Sequence, residues 1–328
     1  MLINLGVNLE VKNSNNLLIV ICIIVAIVVG VGITLKSDLK NGDFKQIFGV
    51  SNNLPEPDKF TPTRPPEKSS SFSQPQILSK SAILVDVPSS YPLFEQNADQ
   101  KLPIASTTKI ATALVVLENY DDKLNEVVTI TYPMINVAGS DIQLKAGEKI
   151  TVESLLKGLL IMSGNDTAYS LAAHFGGKES FVKEMNEKAK KIGLENTSFK
   201  DPAGLDDDGF STAHDLAILA AYAMRNEKFS EIVKTSETTI SSIDGQIVHD
   251  LKTSNRLIKA DENYYFPYAI GIKTGYTYGA GHCLISSATK DGHTILGVIL
   301  GTNEDSIFAS ARESRKLLDW GFTNWIWN

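Results

Sequence analysis

An uncharged apolar run and a long polar stretch dominate the beginning of the chain. Residues 17–35 read LLIVICIIVAIVVGVGITL, and a helix needs about 20 predominantly apolar residues to cross a bilayer core. The run therefore predicts one transmembrane anchor behind a short tail, residues 1–16. A cleavable signal peptide is the alternative, because Gly30 to Gly32 offers small residues for cleavage, although the run is longer than a usual signal-peptide core.

The segment that follows, residues 36–76, is polar and rich in proline and serine. From Ser51 to Gln76 it reads SNNLPEPDKFTPTRPPEKSSSFSQPQ, which offers almost nothing to bury. Segments of this composition cannot offset the entropy of ordering and remain extended and disordered. We therefore expect a flexible tether, followed by a globular domain over residues 77–328.

Beyond residue 77 the apolar spacing changes from that of a strand to that of helices and back to that of strands. The predicted helices are Ser106–Glu118, Val152–Met162, Thr167–Phe175, Glu179–Ile192, Ala213–Arg225 with Ser211 as its N-cap, and Phe308–Leu318. The predicted strands are Ser81–Val87, Thr238–Ser242, Ala269–Lys273, His282–Ala288 and Thr294–Gly301. Strands at both ends of the domain predict an α/β or α+β body whose terminal strands share one sheet.

Composition narrows the classes of function. The 328 residues carry a formal net charge of -7, which disfavours nucleic acid as a partner, because phosphates require clustered Lys and Arg. The two cysteines are far apart in the chain, and the histidines form no Cys/His cluster of the kind that holds a metal. Metal catalysis is therefore disfavoured, and no cofactor is expected.

The first chemically informative motif is Ser-x-x-Lys at Ser106 and Lys109. Three residues are nearly one helical turn, so the serine hydroxyl and the lysine amine would lie on one face within reach of each other. A desolvated lysine could accept the serine proton, and a helix N-terminus favours developing negative charge. The motif alone has low specificity, because it also begins at Ser37, Ser154, Ser180 and Ser287.

Two further motifs follow Ser106 in the chain. Ser-Gly-Asn at residues 163–165 comes after the helical pattern ESLLKGLLIM, and Lys-Thr-Gly at residues 273–275 ends the strand-like run YAIGIKTG. Motifs of these three kinds, in this order, are typical of penicillin-binding proteins and class A β-lactamases. Among the Ser-x-x-Lys serines, only Ser106 both opens a clear amphipathic helix and precedes the other two motifs.

The sequence from Ser81 to Phe322 resembles the serine D-alanyl-D-alanine carboxypeptidases of peptidase family S11, the low-molecular-mass penicillin-binding proteins. Beyond the motifs, the resemblance rests on Leu144–Ala172, Gly193–Ala220, Lys273–Ala288 and Lys316–Phe322. It implies an α+β, β-lactamase/transpeptidase-like fold, in which an antiparallel sheet flanked by helices joins an all-helical subdomain. The active site is expected at their junction.

The resemblance also implies catalytic roles. Ser106 would be the acylated nucleophile and Lys109 its general base. Ser163 would relay the proton to the leaving amine, Asn165 would hold the substrate backbone, and Lys273 would place a positive charge beside the relay. The resemblance implies that this set would remove D-alanine from peptidoglycan stem peptides through an acyl-enzyme, and that β-lactams would acylate the same serine as covalent inhibitors.

Substrate binding is implied for the residues around the Lys-Thr-Gly motif. Thr274 would bind the terminal carboxylate beside Gly275, and the backbone N–H groups of Ser106 and Tyr276 would form the oxyanion hole. One departure from the family pattern concerns an arginine that usually clamps this carboxylate near the last helix. Its expected position holds Ser310, and the nearby arginine is Arg312, which is the candidate for a displaced clamp.

The implied substrate sets the expected location. Because peptidoglycan lies outside the cytoplasmic membrane, the catalytic domain is expected on the extracytoplasmic side, with residues 1–16 in the cytoplasm and residues 17–35 as a single-pass anchor. The lysines favour the opposite orientation weakly, since three of them (Lys36, Lys40 and Lys45) follow the run and Lys12 precedes it.

Three other functions remain open. A DD-endopeptidase that cleaves peptidoglycan cross-links is compatible with the unplaced arginine clamp. A class A β-lactamase needs a glutamate that activates the deacylating water, and Glu195 lies in a segment that resembles the carboxypeptidases instead. A non-catalytic peptidoglycan-binding protein would not need both Ser106 and Lys109.

Overall fold

The computed structural model describes residues 64–302 and 306–327. The predicted anchor, residues 17–35, and most of the predicted tether lie outside this part of the chain. Within the described residues no helix is both long enough and apolar enough to cross a membrane.

The described residues form short and long strands around a largely helical middle. The strands are β1 (Glu67–Lys68), β2 (Ser81–Asp86), β3 (Tyr91–Gln96), β4 (Leu102–Pro103), β5 (Val127–Thr129), β6 (Lys149–Thr151), β7 (Phe210–Ser211), β8 (Glu237–Ser241), β9 (Val248–Lys252), β10 (Ala269–Thr277), β11 (Gly281–Lys290), β12 (His293–Thr302) and β13 (Trp325–Ile326). The α-helices are α1 (Lys109–Asn119), α2 (Tyr132–Ile135), α3 (Val152–Lys157), α4 (Asn165–His174), α5 (Lys178–Lys191), α6 (Ala213–Ala223), α7 (Glu227–Lys234) and α8 (Ala309–Asn324). Tighter 3₁₀ turns cover Ala105–Thr108, Asp121–Lys123 and Arg256–Ile258, and a π-turn covers Gly158–Met162.

The main sheet has five strands in the order β10-β11-β12-β2-β3, and every neighbouring pair is antiparallel. Strand β2, from the start of the domain, pairs with β12, from its end, along the register Leu300↔Ser81 to Ile295↔Asp86. The prediction that the terminal strands share one sheet is therefore confirmed, and the fold is α+β.

Side chains alternate between two apolar layers, one on each face of the sheet, as the two-residue period of a strand requires. On β2, Ile83 and Val85 join the larger core that contains α1, whereas Ala82 and Leu84 join the smaller core beneath α8. Both faces are covered, which explains why every residue of β2 is buried.

The helical region packs around α1, whose residues from Lys109 to Leu117 are all buried. A helix that is apolar on every side belongs at the centre of a bundle, and helices α3 to α6 pack against this one or near it. This region also holds two small antiparallel sheets, β5-β6 and β8-β9, so the prediction of an all-helical subdomain was too simple.

Residues before the predicted domain start contact the last helix of the fold. Strand β1 pairs with β13, and the ring of Phe72 packs edge-on against Trp320 and Trp325 at centroid distances of 5.6 and 5.8 Å. The packed chain therefore includes residues before Ile77, because Phe72 supplies an aromatic side chain to a cluster that the polar composition around it conceals.

The beginning of α6 differs by one residue from the prediction. Thr212, not Ser211, is the N-cap: its side-chain oxygen accepts the backbone N–H of Asp215 at 3.0 Å. Ser211 belongs to β7 instead, which pairs with β4. Serine and threonine are both good N-caps, so neighbouring candidates cannot be separated by residue type.

Candidate active site

The predicted nucleophile, Ser106, lies in a tight turn three residues before the start of α1. Ala105–Thr108 form a 3₁₀ turn, and α1 begins at Lys109. Residues i and i+3 eclipse each other in 3₁₀ geometry, which brings Ser106 directly over Lys109. Their side chains meet at 2.8 Å between Lys109 Nζ and Ser106 Oγ. The prediction that these side chains contact each other is correct, although the helix was expected to include Ser106.

Lys109 Nζ has three oxygen neighbours. Besides Ser106 Oγ, they are Asn165 Oδ1 at 2.7 Å and the backbone oxygen of Ala203 at 2.9 Å. Because the side chain is fully buried, the pKa of Lys109 is well below the usual value, and the ammonium of Lys273 lowers it further. The carboxylates of Asp201 and Asp166 oppose this shift in part.

The Ala203 carbonyl is held in place by a buried carboxylate. Asp201 accepts the backbone N–H groups of Ala203 and Gly204, both at 2.7 Å, and those of Leu205 and Asp206 at 2.9 and 2.8 Å. Four backbone donors around one carboxylate fix the turn that carries the Ala203 oxygen. The turn is therefore an ordered partner of Lys109.

The Ser-Gly-Asn motif connects the π-turn to α4. Ser163 adopts a left-handed conformation, with φ of 68°, which ends the π-turn and aims its hydroxyl at Lys273. Lys273 Nζ donates to Ser163 Oγ at 2.8 Å and to the backbone oxygen of Thr274 at 2.9 Å. Burial lowers the pKa of Lys273 to about 7, so this amine can be either charged or neutral near neutral pH.

The Asn165 amide is oriented by a backbone segment that follows α2. Its Nδ2 donates to the Ala138 oxygen at 2.6 Å, which leaves Oδ1 to face Lys109. The backbone N–H of Asn165 also donates to the Ser140 oxygen at 2.7 Å. A side chain on Gly139 would lie 2.7 Å from Asn165 Nδ2, so glycine is needed for this close approach.

These groups open into a cleft of about 860 Å³ between the edge strand β10 and the helical region. Hydroxyl side chains dominate its lining: Ser106, Ser140, Ser163, Ser254, Thr274, Thr302 and Ser310. The hydroxyls of Ser254 and Thr274 are hydrogen-bonded to each other. Gly275 packs so closely that an added Cβ would lie 3.0 Å from the backbone nitrogen of Ser106.

The structure brings together Ser106, Lys109, Ser163, Asn165 and Lys273, as the sequence predicted. Thr274, Gly275 and Tyr276 line the cleft beside them, and the Tyr276 ring is tilted over His282 at a centroid distance of 4.4 Å.

The structure does not bring Arg312 to this site. Among the described residues that line the cleft, Ser310 is present and Arg312 is not. Two residues on a helix are about 200° apart around the axis, so these side chains leave α8 in different directions. Arg312 Nε instead donates to Glu313 Oε1 at 3.0 Å.

Arg256 is a charged cleft residue that the sequence did not predict. It lines the cleft, and its guanidinium lies 4.4 Å from the centroid of the Phe308 ring and donates to Glu262 Oε1 at 2.6 Å. No motif marks this arginine, which is the first residue of the 3₁₀ turn between β9 and β10. Among the residues that the structure describes, no group of three or more His, Cys, Asp or Glu side chains could hold a metal ion.

Comparison with known families adds the deciding observation. The family model described as D-alanyl-D-alanine carboxypeptidase, peptidase S11, matches residues 68–304, which is more than half of the chain. The chain belongs to peptidase family S11. Its matched residues include all three motifs of the cleft.

Individual proteins and a solved structure are also similar to this S11 peptidase. A D-alanyl-D-alanine carboxypeptidase, DacF, of Bacillus subtilis is 36% identical over 251 residues, covering 75% of this chain and 62% of the relative. A D-alanyl-D-alanine endopeptidase of Pseudomonas aeruginosa is 32% identical over 262 residues, covering 78% and 82% of the two chains. The crystal structure of the Streptomyces K15 DD-transpeptidase superposes with a TM-score of 0.71 at 32% identity, covering 77% of this chain and 100% of that one.

Proposed function

We propose that this S11 peptidase is a serine D-Ala-D-Ala carboxypeptidase that removes the terminal D-alanine of peptidoglycan stem pentapeptides through an acyl-enzyme on Ser106. The observation that carries the proposal is the contact between Lys109 Nζ and Ser106 Oγ at 2.8 Å, inside a cleft shared with Ser163, Asn165 and Lys273.

The hydrogen bonds of Lys109 fit a general base. A neutral amine has two hydrogens and one lone pair. The oxygens of Asn165 and Ala203 can only accept, so they take the two hydrogens, and the lone pair is left for the proton of Ser106. The lowered pKa of Lys109 favours this neutral form.

The reaction then follows from the arrangement of the groups. Ser106 Oγ attacks the carbonyl carbon between the two D-alanines while its proton moves to Lys109. The backbone N–H groups of Ser106 and Tyr276 are the proposed donors to the oxyanion. Ser163 passes its hydroxyl proton to the leaving amine as the C–N bond breaks, and the Lys273 ammonium, which is hydrogen-bonded to Ser163, replaces that proton. Exchange with water then returns Lys109 to its neutral form and Lys273 to its charged form. Lys109 takes a proton from the water that attacks the ester and gives it back to Ser106 as the ester is hydrolysed.

The terminal carboxylate of the substrate is assigned to Thr274 and Arg256. Thr274 offers a hydroxyl already paired with that of Ser254, and Arg256 lines the same cleft. A guanidinium pairs well with a carboxylate because its N–H groups match the two oxygens. Arg312 has no part in this assignment, because it lies outside the cleft lining.

The location follows from the substrate. We place residues 77–328, together with the packed segment before them, on the extracytoplasmic side, residues 17–35 in the membrane as a single-pass anchor, and residues 1–16 in the cytoplasm. The predicted linker, residues 36–76, would tether the catalytic domain to this anchor. β-Lactams, whose strained amide resembles the scissile bond, would acylate Ser106.

Endopeptidase action on cross-linked stems is the second candidate. The relative from Pseudomonas aeruginosa carries that name, and Ser310 stands where the family arginine is expected. A cleft without that arginine leaves room for a larger leaving group. The match to a peptidase family does not favour a β-lactamase or a non-catalytic binding protein.

The test is release of D-alanine from a peptide that ends in Lys-D-Ala-D-Ala. We expect release by the full-length chain, a loss of at least about 10³-fold in Ser106→Ala, and no loss in Ser180→Ala, which removes an exposed serine of another Ser-x-x-Lys motif. Cleavage of a cross-linked dimer without release from the linear peptide would favour the endopeptidase. Equal activity of Ser106→Ala and the wild type would contradict both.

A further inference from the structure

A seven-residue backbone segment, residues 138–144, holds Asn165 and the residue after it. The carbonyls of Ala138 and Ser140 accept from Asn165, as described above. In return, the carboxylate of Asp166 accepts the backbone N–H of Ile142 at 3.1 Å and that of Leu144 at 3.2 Å. The orientation of the Asn165 amide, and with it one acceptor of Lys109, therefore depends on where this segment lies.

The side of the segment that faces away from the cleft is fastened by a buried histidine. His249, on β9, has its Nδ1 2.8 Å from the Ile142 oxygen and its Nε2 2.7 Å from Glu148 Oε1. The other oxygen of Glu148 accepts the backbone N–H of Lys145 at 3.0 Å. His249 and Glu148 are both buried.

The chemistry of the backbone partner defines the direction of one contact. A backbone carbonyl can only accept, so His249 Nδ1 carries a hydrogen and donates it to the Ile142 oxygen. The second ring nitrogen, Nε2, shares a hydrogen with the Glu148 carboxyl group. The pair joins the hairpin β8-β9 to residues 138–144, and Ile142 is the shared residue.

We infer that His249 is a positioning residue for the acylation step: with Glu148 it fixes the 138–144 segment, which orients the Asn165 amide toward Lys109. The inference rests on the proposed function, since it concerns the same reaction. His249 contacts no reacting atom, and its effect passes through Ile142, Asp166 and Asn165. A small cleft of about 230 Å³, lined by His249, Ile142 and Lys145, opens beside the ring.

The test measures the acylation of the full-length chain by a fluorescent penicillin, separating the dissociation constant of the first complex from the acylation rate constant. For His249→Ala we expect the rate constant to fall by about 10- to 100-fold, with the dissociation constant changed by less than about threefold. His214→Ala, at an exposed histidine on α6, is the matched control and should acylate like the wild type.

Chemical rescue distinguishes positioning from a general loss of stability. Imidazole, which carries two N–H donors when protonated, should enter the space left in His249→Ala. It should raise the acylation rate constant of this variant at least about fivefold. 1-Methylimidazole, which has only one N–H donor when protonated, should not. An unchanged rate in His249→Ala, or equal rescue by the two compounds, would overturn the inference.

A second pair of variants covers the case in which His249→Ala does not fold. In Glu148→Gln the new carboxamide can accept from Lys145 and donate to a neutral ring, whose Nδ1–H still reaches Ile142, so the rate should stay within about threefold. Glu148→Leu removes the contact and should lose at least about tenfold. Equal rates for these two variants would overturn the inference, whereas a wild type that penicillin does not acylate would refute the proposed function instead.

Discussion

At the scale of single residues, two buried lysines carry the proposed chemistry. Lys109 and Lys273 are 0% and 1% exposed, and burial is the main cause of the lowered pKa in both. Lysine is rarely buried without compensation, and a lysine that is held largely desolvated becomes available as a base or proton carrier. The motifs identify these residues in the sequence, but their lowered pKa values follow from the surrounding fold.

The cost of burying Lys273 predicts a pH-dependent stability. Its pKa is about 7 in the folded protein against 10.5 for the ordinary side chain, so between these values the unfolded chain binds more protons and wild-type stability rises with pH. Methionine does not titrate. Lys273→Met should therefore be more stable than the wild type near pH 7, and this difference should shrink toward pH 10.5 by at most about 1.4 kcal/mol per pH unit.

Guanidinium denaturation across this pH range measures the difference. Lys183→Met, which alters an exposed lysine on α5, is the control and should follow the wild type at every pH. Parallel stability curves for Lys273→Met and the wild type would show that the Lys273 pKa is not lowered by folding.

The sequence could not predict which arginine lines the cleft. The family pattern directed attention to α8, where Ser310 lines the cleft and Arg312 does not. Arg256 reaches the cleft from the 3₁₀ turn between β9 and β10, and its guanidinium is held by Glu262 and by the ring of Phe308. An arginine that is distant from α8 in the sequence leaves no local signal, because only the fold brings the two segments to the same cleft.

At the scale of elements, periodic apolar patterns predicted most long helices and strands, and close packing determined the details that they missed. The helix predicted over Val152–Met162 ends in a π-turn, after which Ser163 adopts a left-handed conformation. Strand β3 was missed because Pro92 and exposed residues interrupt its pattern, although its Leu93 and Phe94 are buried.

The turn around Gly204 illustrates how one element fixes another. Gly204 has a φ of +77°, and an added Cβ would lie 1.9 Å from the backbone oxygen of Ala105, next to Ser106. Gly245, in the β8-β9 turn, has a φ of +71° with nothing within 4 Å. Gly245→Ala should cost about 1–2 kcal/mol from backbone strain alone, whereas Gly204→Ala should cost more and also slow penicillin acylation.

Urea denaturation and the acylation rate of the folded protein measure the two effects. Because Gly204 and Gly245 have similar positive φ values, the backbone strain should be nearly the same in both variants. The difference between their free energies of unfolding therefore measures the cost of the contact with the Ala105 oxygen. Equal stabilities and equal acylation rates for the two variants would show that the turn does not position Ser106.

At the scale of the whole molecule, the active site lies where the edge strand β10 meets the helical region. Lys273 comes from the sheet, and Lys109 and Asn165 come from helices, so neither part forms the site alone. The three motifs, in their order along the chain, pointed to a known family, and the resemblance to that family predicted an active site at the junction of the sheet and the helical region. The contact of residues before Ile77 with α8 could not be predicted, since one half-buried Phe72 within a polar segment carries no periodic signal.

The central claim is that Ser106 is acylated with Lys109 as its base, and the mass of the protein after incubation with benzylpenicillin tests it most directly. The account predicts one penicillin per chain, located by peptide mapping on Ser106, absent in Ser106→Ala and unchanged in Ser180→Ala. In Lys109→Arg, whose guanidinium stays charged, the adduct should form about 10²- to 10⁴-fold more slowly. An adduct on another residue, or one that forms at the wild-type rate in Lys109→Arg, would contradict the account.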